Sequence, residues 1–151
     1  MKPRGYSNTF GSVKFDPGNI FLKLNKLKIG SAPGPDGIPA IFFKNLASVL
    51  ACPLAIFFDL IFQSETLPDS WKLANVTPIF KKGPSGNPEN YRPISLTNII
   101  CKVFESFIKD QLLEFLTKND VITHAQHAYL ASHSTTTKLL ENLNDWSKIL
   151  N

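Results

Sequence analysis

The stretch from Leu67 to Leu96, LPDSWKLANVTPIFKKGPSGNPENYRPISL, constrains the fold more than any other part of this chain. An apolar run from Ala74 to Phe80, β-branched at Val76, Thr77 and Ile79, leads into Lys81 and Lys82 and then into a turn punctuated by Gly83, Pro84, Gly86 and Pro88. The chain resumes at Tyr91 and Arg92. Two such runs across a Gly/Pro-rich connection predict an antiparallel strand pair. That pair would carry a lysine pair and an arginine to one surface. Ammonium acts as a point charge and guanidinium grips two oxygens, so the trio suits a polyphosphate. The competing reading of Lys81 and Lys82 is a solvated hairpin tip. Trp71, after Leu67-Pro68 and before the apolar strand, reads as a packing residue, whereas Tyr91 is open between packing and stacking on a base.

Helical periodicity dominates the remainder. Asp16 as N-cap and Pro17 at the first helical position predict a helix to about Lys28 with an apolar face of Ile20, Leu22, Leu24 and Leu27. The loop GSAPGPDGIP, Gly30 to Pro39, stops it. It is read as a structural turn capped by Asp36, because no Gly-Lys-Ser/Thr follows and its prolines remove N–H donors that a phosphate cradle needs. Helices follow from about Pro39 to Leu46 and from about Ala51 to Gln63, the second burying Leu54, Phe57, Phe58, Ile61 and Phe62. Thr97 is expected to cap a long helix to Lys118 with the stripe Ile100, Val103, Phe104, Phe107, Ile108, Leu112, Phe115 and Leu116. Asn119 and Asp120 break it, and a linker runs to His133. Ser134 or Thr135 opens a last helix carrying Leu139, Leu140, Leu143, Trp146 and Leu150. The fold class is therefore α+β, mostly helical with a short antiparallel strand pair, after a ragged lead-in over residues 1–15.

Composition narrows the partners. The chain has 151 residues, 43% of them hydrophobic with 12 phenylalanines, which is enough to fill a core. Its formal charge of +4 comes from 14 lysines with Arg4 and Arg92 as the two arginines, and favours an anionic partner. Cys52 and Cys101 stand far apart without ligand spacing and read as reduced core thiols. His124, His127 and His133 lack a neighbouring cysteine or carboxylate at metal-ligand spacing and read as polar loop residues. The first twelve residues lack the apolar stretch of a signal peptide, so an intracellular location, nuclear or cytoplasmic and not secreted, is expected. Leu46 to Phe58 is the most apolar window. Ser48, Pro53 and a length short of the roughly 20 residues of a membrane span favour a buried helix there.

The ordered set GPDGIP (Gly34 to Pro39), LPDSWKLANVTPIFKKG (Leu67 to Gly83), NYRPISL (Asn90 to Leu96), Lys102-Val103-Phe104-Glu105, and Gln126 through Ser134-Thr135 resembles the reverse transcriptases of non-LTR (LINE) retrotransposons of the jockey type. The resemblance covers about Asp16 to Leu150. It implies that residues 16–151 are the N-terminal part of a reverse transcriptase domain, the fingers and the start of the palm, incomplete as a polymerase. It further implies an RNA template, a DNA primer, deoxynucleoside triphosphates and Mg²⁺ for the full-length enzyme, no membrane, and the remaining palm and thumb as the natural packing partner. Residue by residue, Lys81, Lys82 and Arg92 match nucleotide-binding positions of the fingers, and Tyr91, Gln126 and Tyr129 match template-proximal ones. After the glutamine the family reads Gly-Phe followed by basic residues; here stand Ala128, Tyr129 and Leu130, with His133 where arginine is common.

Nucleotidyl transfer by two metals needs clustered carboxylates holding ions about 3.5–4 Å apart. In the family these lie on a strand and a Tyr-x-Asp-Asp turn beyond the last helix. This sequence contains no Asp-Asp or Asp-x-Asp; its seven aspartates, at positions 16, 36, 59, 69, 110, 120 and 145, read as caps, turns and exposed helix positions. The expectation is a segment without catalytic residues or metal ligands, which contributes incoming-nucleotide and template contacts but does not polymerise alone. The alternatives are a small basic, non-enzymatic nucleic-acid-binding domain and a decayed gene product without activity.

Overall fold

A computed structural model of the chain describes residues 9–123, 126–127 and 134–150. Five helices and one strand pair follow in the order α1 (Pro17–Asn25), α2 (Ala40–Asn45), α3 (Ala47–Ser64), β1 (Asn75–Phe80), β2 (Tyr91–Leu96), α4 (Ile99–Lys118) and α5 (Thr135–Leu150). The fold is α+β. Contacts divide it into two compact units, residues 11–111 and residues 1–10 with 112–151.

In the larger unit, α1 opens as its sequence dictates: the Asn19 N–H donates to Asp16 Oδ2 at 2.8 Å, and Pro17 takes the first helical position. The helix ends at Asn25, three residues before the expected Lys28. Ile20 and Leu24 are buried one turn apart on the helix, and Leu27, just beyond its end, is half-buried. Leu22 falls off that spacing and is 52% exposed, so it does not belong to the apolar face. The helix packs on α3 and α2.

Helix α3 begins four residues earlier than expected, because the Leu46 carbonyl accepts from both Val49 N–H (3.0 Å) and Leu50 N–H (2.9 Å). Its buried line is Ala47, Ala51, Ala55, Phe58 and Ile61, and the alanines let α1 approach closely. Phe57 is 40% exposed rather than buried, one residue off that line, although its ring still packs edge-on against Trp71 at 5.8 Å. Cys52 also lies on the outer side and is exposed, which corrects its assignment to the core, while Cys101 is buried. By length and composition α3 is apolar enough to cross a membrane, yet it lays one face into this core.

The core centres on aromatic rings. Phe58 packs against Phe104 at 5.3 Å, and Trp71 approaches Phe104 at 5.6 Å, as a packing residue should. Phe15 stacks on Phe104 at 5.3 Å and touches Phe58, Phe62 and Phe107. Val13 and Phe15 are thus core residues within residues 1–15, where a ragged lead-in is expected. The segment has no helical or strand period, so its alternating burial is set by the surfaces of α3 and α4. Gln111 anchors it: Lys14 N–H donates to Gln111 Oε1 (2.9 Å) and Gln111 Nε2 donates to the Lys14 carbonyl (2.8 Å).

Asn98, not Thr97, immediately precedes α4, and its carbonyl accepts the first helical bond, from Lys102 N–H. The side chain of Asn98 is buried and ties two loops together, accepting from Asp36 N–H (3.3 Å) and donating to the Ser70 carbonyl (3.2 Å). The loop at Gly34 lies so close that a Cβ there would stand 2.5 Å from Asn98 Oδ1 and 2.6 Å from the Asn98 nitrogen. Asp36 closes its own turn by accepting from Ile38 N–H, and Gly37 adopts φ +67°. This loop is packing machinery, in line with the structural reading of GPDGIP.

The far end of α4 stops at Asp120, which is left-handed at φ 52°, with Val121 N–H donating to the Leu116 carbonyl and Asp120 N–H to that of Thr117. In the smaller unit, α5 pairs Lys138 with Glu141 and Lys148 with Asp145 at i,i+3 spacing. Its stripe of Leu139, Leu140, Leu143, Trp146 and Ile149 is 56–80% exposed.

Candidate functional site

The hairpin is a two-stranded ribbon. Its register pairs Asn75 with Leu96, Thr77 with Ile94, Pro78 with Pro93, Ile79 with Arg92, and Phe80 with Tyr91. The Lys81 N–H donates to the Asn90 carbonyl at 2.8 Å, which extends the ladder by one pair. Hydrogen-bonded and non-hydrogen-bonded pairs alternate in an antiparallel ladder, so Lys81/Asn90, Ile79/Arg92 and Thr77/Ile94 exchange the bonds. Pro78 and Pro93 then fall together at a non-bonded pair, where their missing N–H groups would point outward. Each proline therefore leaves the ladder intact and removes a donor from one free edge.

Directly paired residues share a face, so Arg92 lies with Ile79, and Lys81 follows two residues on along that same face. As diagonal neighbours, Lys81 and Arg92 stand about 7–8 Å apart at the backbone. Tyr91 falls on the opposite face. Its ring packs edge-on with Phe80 at 5.5 Å and its hydroxyl donates to the Ser85 carbonyl at 2.9 Å, so this tyrosine braces the connection between the strands. Lys82 sits beyond the ladder at a bend that Gly83 completes with φ +90°. A Cβ at Gly83 would stand 2.8 Å from the Asn90 side chain, which donates to the Pro84 carbonyl. Asn87 accepts from Glu89 N–H and shapes the return.

Both strands are exposed or half-buried throughout, with Val76 at 63%. Lys81, Lys82 and Arg92 are exposed, and among the described residues none of them has an ion-pair partner. Lys23, Lys72, Lys138 and Lys148, in contrast, each face a carboxylate. Cations without an ion-pair partner on an exposed ribbon leave a local positive potential for an anion.

Among the described residues no group of three or more His, Cys, Asp or Glu side chains could hold a metal ion. Gln126 lies in the smaller unit, its N–H donating to the Thr123 carbonyl at 2.9 Å. Tyr129, His124 and His133 lie outside the described residues. His127 is a polar residue outside the helices and strands, as expected, but it is buried, with Thr137 and Glu141 of α5 beside its two ring nitrogens. Sequence pattern missed His127 and Asn98, since neither pairing has a local signature. The opposed prolines were visible as residues, but their meaning required the register.

No family model matches the chain. Among the curated relatives that do are three from Drosophila melanogaster. It is 30% identical over 117 residues, 77% of its own length, to the "Probable RNA-directed DNA polymerase from transposon BS". The identity is 29% over 126 residues (83% of the chain) with the "Probable RNA-directed DNA polymerase from transposon X-element". With the "RNA-directed DNA polymerase from mobile element jockey" it is 28% over 115 residues (76% of the chain). The matches span 13–14% of the length of these relatives. The chain is thus a homologue of one segment of the RNA-directed DNA polymerases of non-LTR retrotransposons.

Proposed function

We propose that this chain is the fingers and the start of the palm of a retrotransposon RNA-directed DNA polymerase, and that its hairpin holds the triphosphate of the incoming deoxynucleotide. The observation that supports this reading best is the trio Lys81, Lys82 and Arg92, exposed on a braced ribbon and without ion-pair partners among the described residues. Arg92 presents a planar fork to two phosphate oxygens while Lys81, diagonal to it on the same face, neutralises the neighbouring charge. Lys82 at the bend extends the positive field. Gln126 and Tyr129 serve the template side, and Tyr91 contributes by holding the connection in shape. Mg²⁺ would be held by carboxylates of the full-length enzyme outside this segment, and the palm and thumb would cover the apolar surfaces that the segment leaves exposed.

The test uses a polymerase whose palm is restored from a related element. Arg92→Ala, and Lys81→Ala combined with Lys82→Ala, should raise the KM for deoxynucleotide about 10- to 100-fold, since charge-assisted bonds contribute roughly 1.5–3 kcal/mol. Primer-template affinity should hold. A second reading, a non-enzymatic nucleic-acid grip, draws on the same unpaired cations. It would be favoured if Arg92→Ala left incorporation kinetics unchanged but weakened RNA binding with a shallower salt dependence.

A further inference from the structure

Asn98 and His127 are the buried polar side chains among the described residues. Asn98 joins two loops of the larger unit. His127 lies in neither a helix nor a strand, and the N–H of its neighbour Gln126 donates to the Thr123 carbonyl. Its Nδ1 lies 3.1 Å from Thr137 Oγ1 and its Nε2 lies 2.8 Å from Glu141 Oε2. Thr137 and Glu141 are four residues apart on α5 and therefore neighbours on one helix face. One imidazole ring thus grips two successive turns.

Thr137 is itself anchored at the start of α5. Its hydroxyl accepts from Ser134 N–H (2.9 Å) and donates to the Ser134 carbonyl (2.8 Å), and it meets His127 Nδ1 as a further partner. Desolvation acts to raise the Glu141 carboxyl, but the hydrogen bond and charge of His127, joined by those of Lys138, outweigh it and hold the group below its ordinary value. An ionised Glu141 only accepts, so the Nε2 that faces it at 2.8 Å donates. Ser134 also caps α5, receiving Thr137 N–H at 3.1 Å, so the grip lands on a fixed first turn.

We propose that His127 is a positioning latch that fastens the segment bearing Gln126 onto α5, so that segment and helix move as one piece. A displacement of α5 would be carried to Gln126 through the ring.

Amide hydrogen exchange on the full chain tests this. His127→Ala should speed exchange at Gln126 and at residue 127 roughly 10- to 100-fold, the scale of a lost charge-assisted bond. Glu141→Ala, an exposed change that leaves the ring in place, should produce a similar rise. Glu141→Gln, which keeps an acceptor, should produce a smaller one. The double variant should add little to either single change, while amides of α5 beyond Glu141 keep their rates. Nitrogen shifts of the His127 ring should change at Nε2 in Glu141→Ala. Unchanged exchange at Gln126 in Glu141→Ala, or fully additive effects in the double variant, would overturn the latch. Either result leaves the nucleotide clamp untouched, because neither readout senses nucleotide.

Discussion

Replacing Phe15 by alanine should be among the most damaging single changes in the larger unit. Phe15 is 5% exposed and meets four rings: Phe104 stacked at 5.3 Å, and Phe58, Phe107 and Phe62 at 5.6, 5.8 and 6.0 Å. Truncating a buried phenylalanine costs about 3–5 kcal/mol as lost transfer energy plus the cavity left behind. The upper part of that range applies where neighbours cannot collapse inward. Here Phe58 and Phe104 are held by each other at 5.3 Å and by Trp71 at 6.3 and 5.6 Å, so the cavity should persist. A domain has about 5–15 kcal/mol of stability in total, so this is a large fraction of it. Urea unfolding followed by Trp71 fluorescence and circular dichroism should show a lower midpoint with an unchanged slope. Phe21→Ala, at a 39% exposed position of α1, is the control and should cost less than about 1 kcal/mol. Phe104→Ala should cost as much as Phe15→Ala, and the pair should couple by about 0.5–3 kcal/mol because they share one contact. A loss below about 1 kcal/mol for Phe15→Ala would mean that residues 11–15 do not pack and that the core closes without them.

Gly34→Ala should destabilise by about 1–3 kcal/mol, since its Cβ would meet backbone atoms of Thr97 and Asn98 at 2.6 Å, whereas Gly30→Ala, with open space around it, should be near neutral in the same melts. Pro78→Thr with Pro93→Thr restores an outward donor on each ribbon edge; size-exclusion chromatography should then show self-association, and unchanged elution would refute the edge-blunting role. Burial, then the charge and hydrogen bond of Glu105, push the Cys101 thiol from 9.0 up to about 11. The folded state keeps its proton where the unfolded chain has lost it, so this thiol's contribution to stability is intact below pH 9.0 and falls between 9.0 and about 11. Alkaline melts of Cys101→Ala should lack that part of the decline, and an identical pH profile would exclude it.

The local elements and the chemical character of the hairpin are legible in the residues alone. Asp16-Pro17 starts α1, the 3.6-residue stripe from Ile100 to Phe107 lays out the buried part of α4, and β-branched residues before a Gly/Pro turn give the strand pair, because each signal acts over one or two turns of chain. The motifs that carried the resemblance to non-LTR reverse transcriptases are local in the same sense. Which of these groups meet depends on how the elements pack. Phe15 enters the core because α3 and α4 present rings to it, and no periodicity within residues 1–15 could announce that. Leu22 and Phe57 are as apolar as their buried neighbours but lie a fraction of a turn off the packed line. Gly34 is needed because Asn98, far along the chain, presses against it. Lys81 and Arg92 share a face, and Tyr91 does not, only because the register pairs Ile79 with Arg92, and a slip of one residue would reverse both assignments.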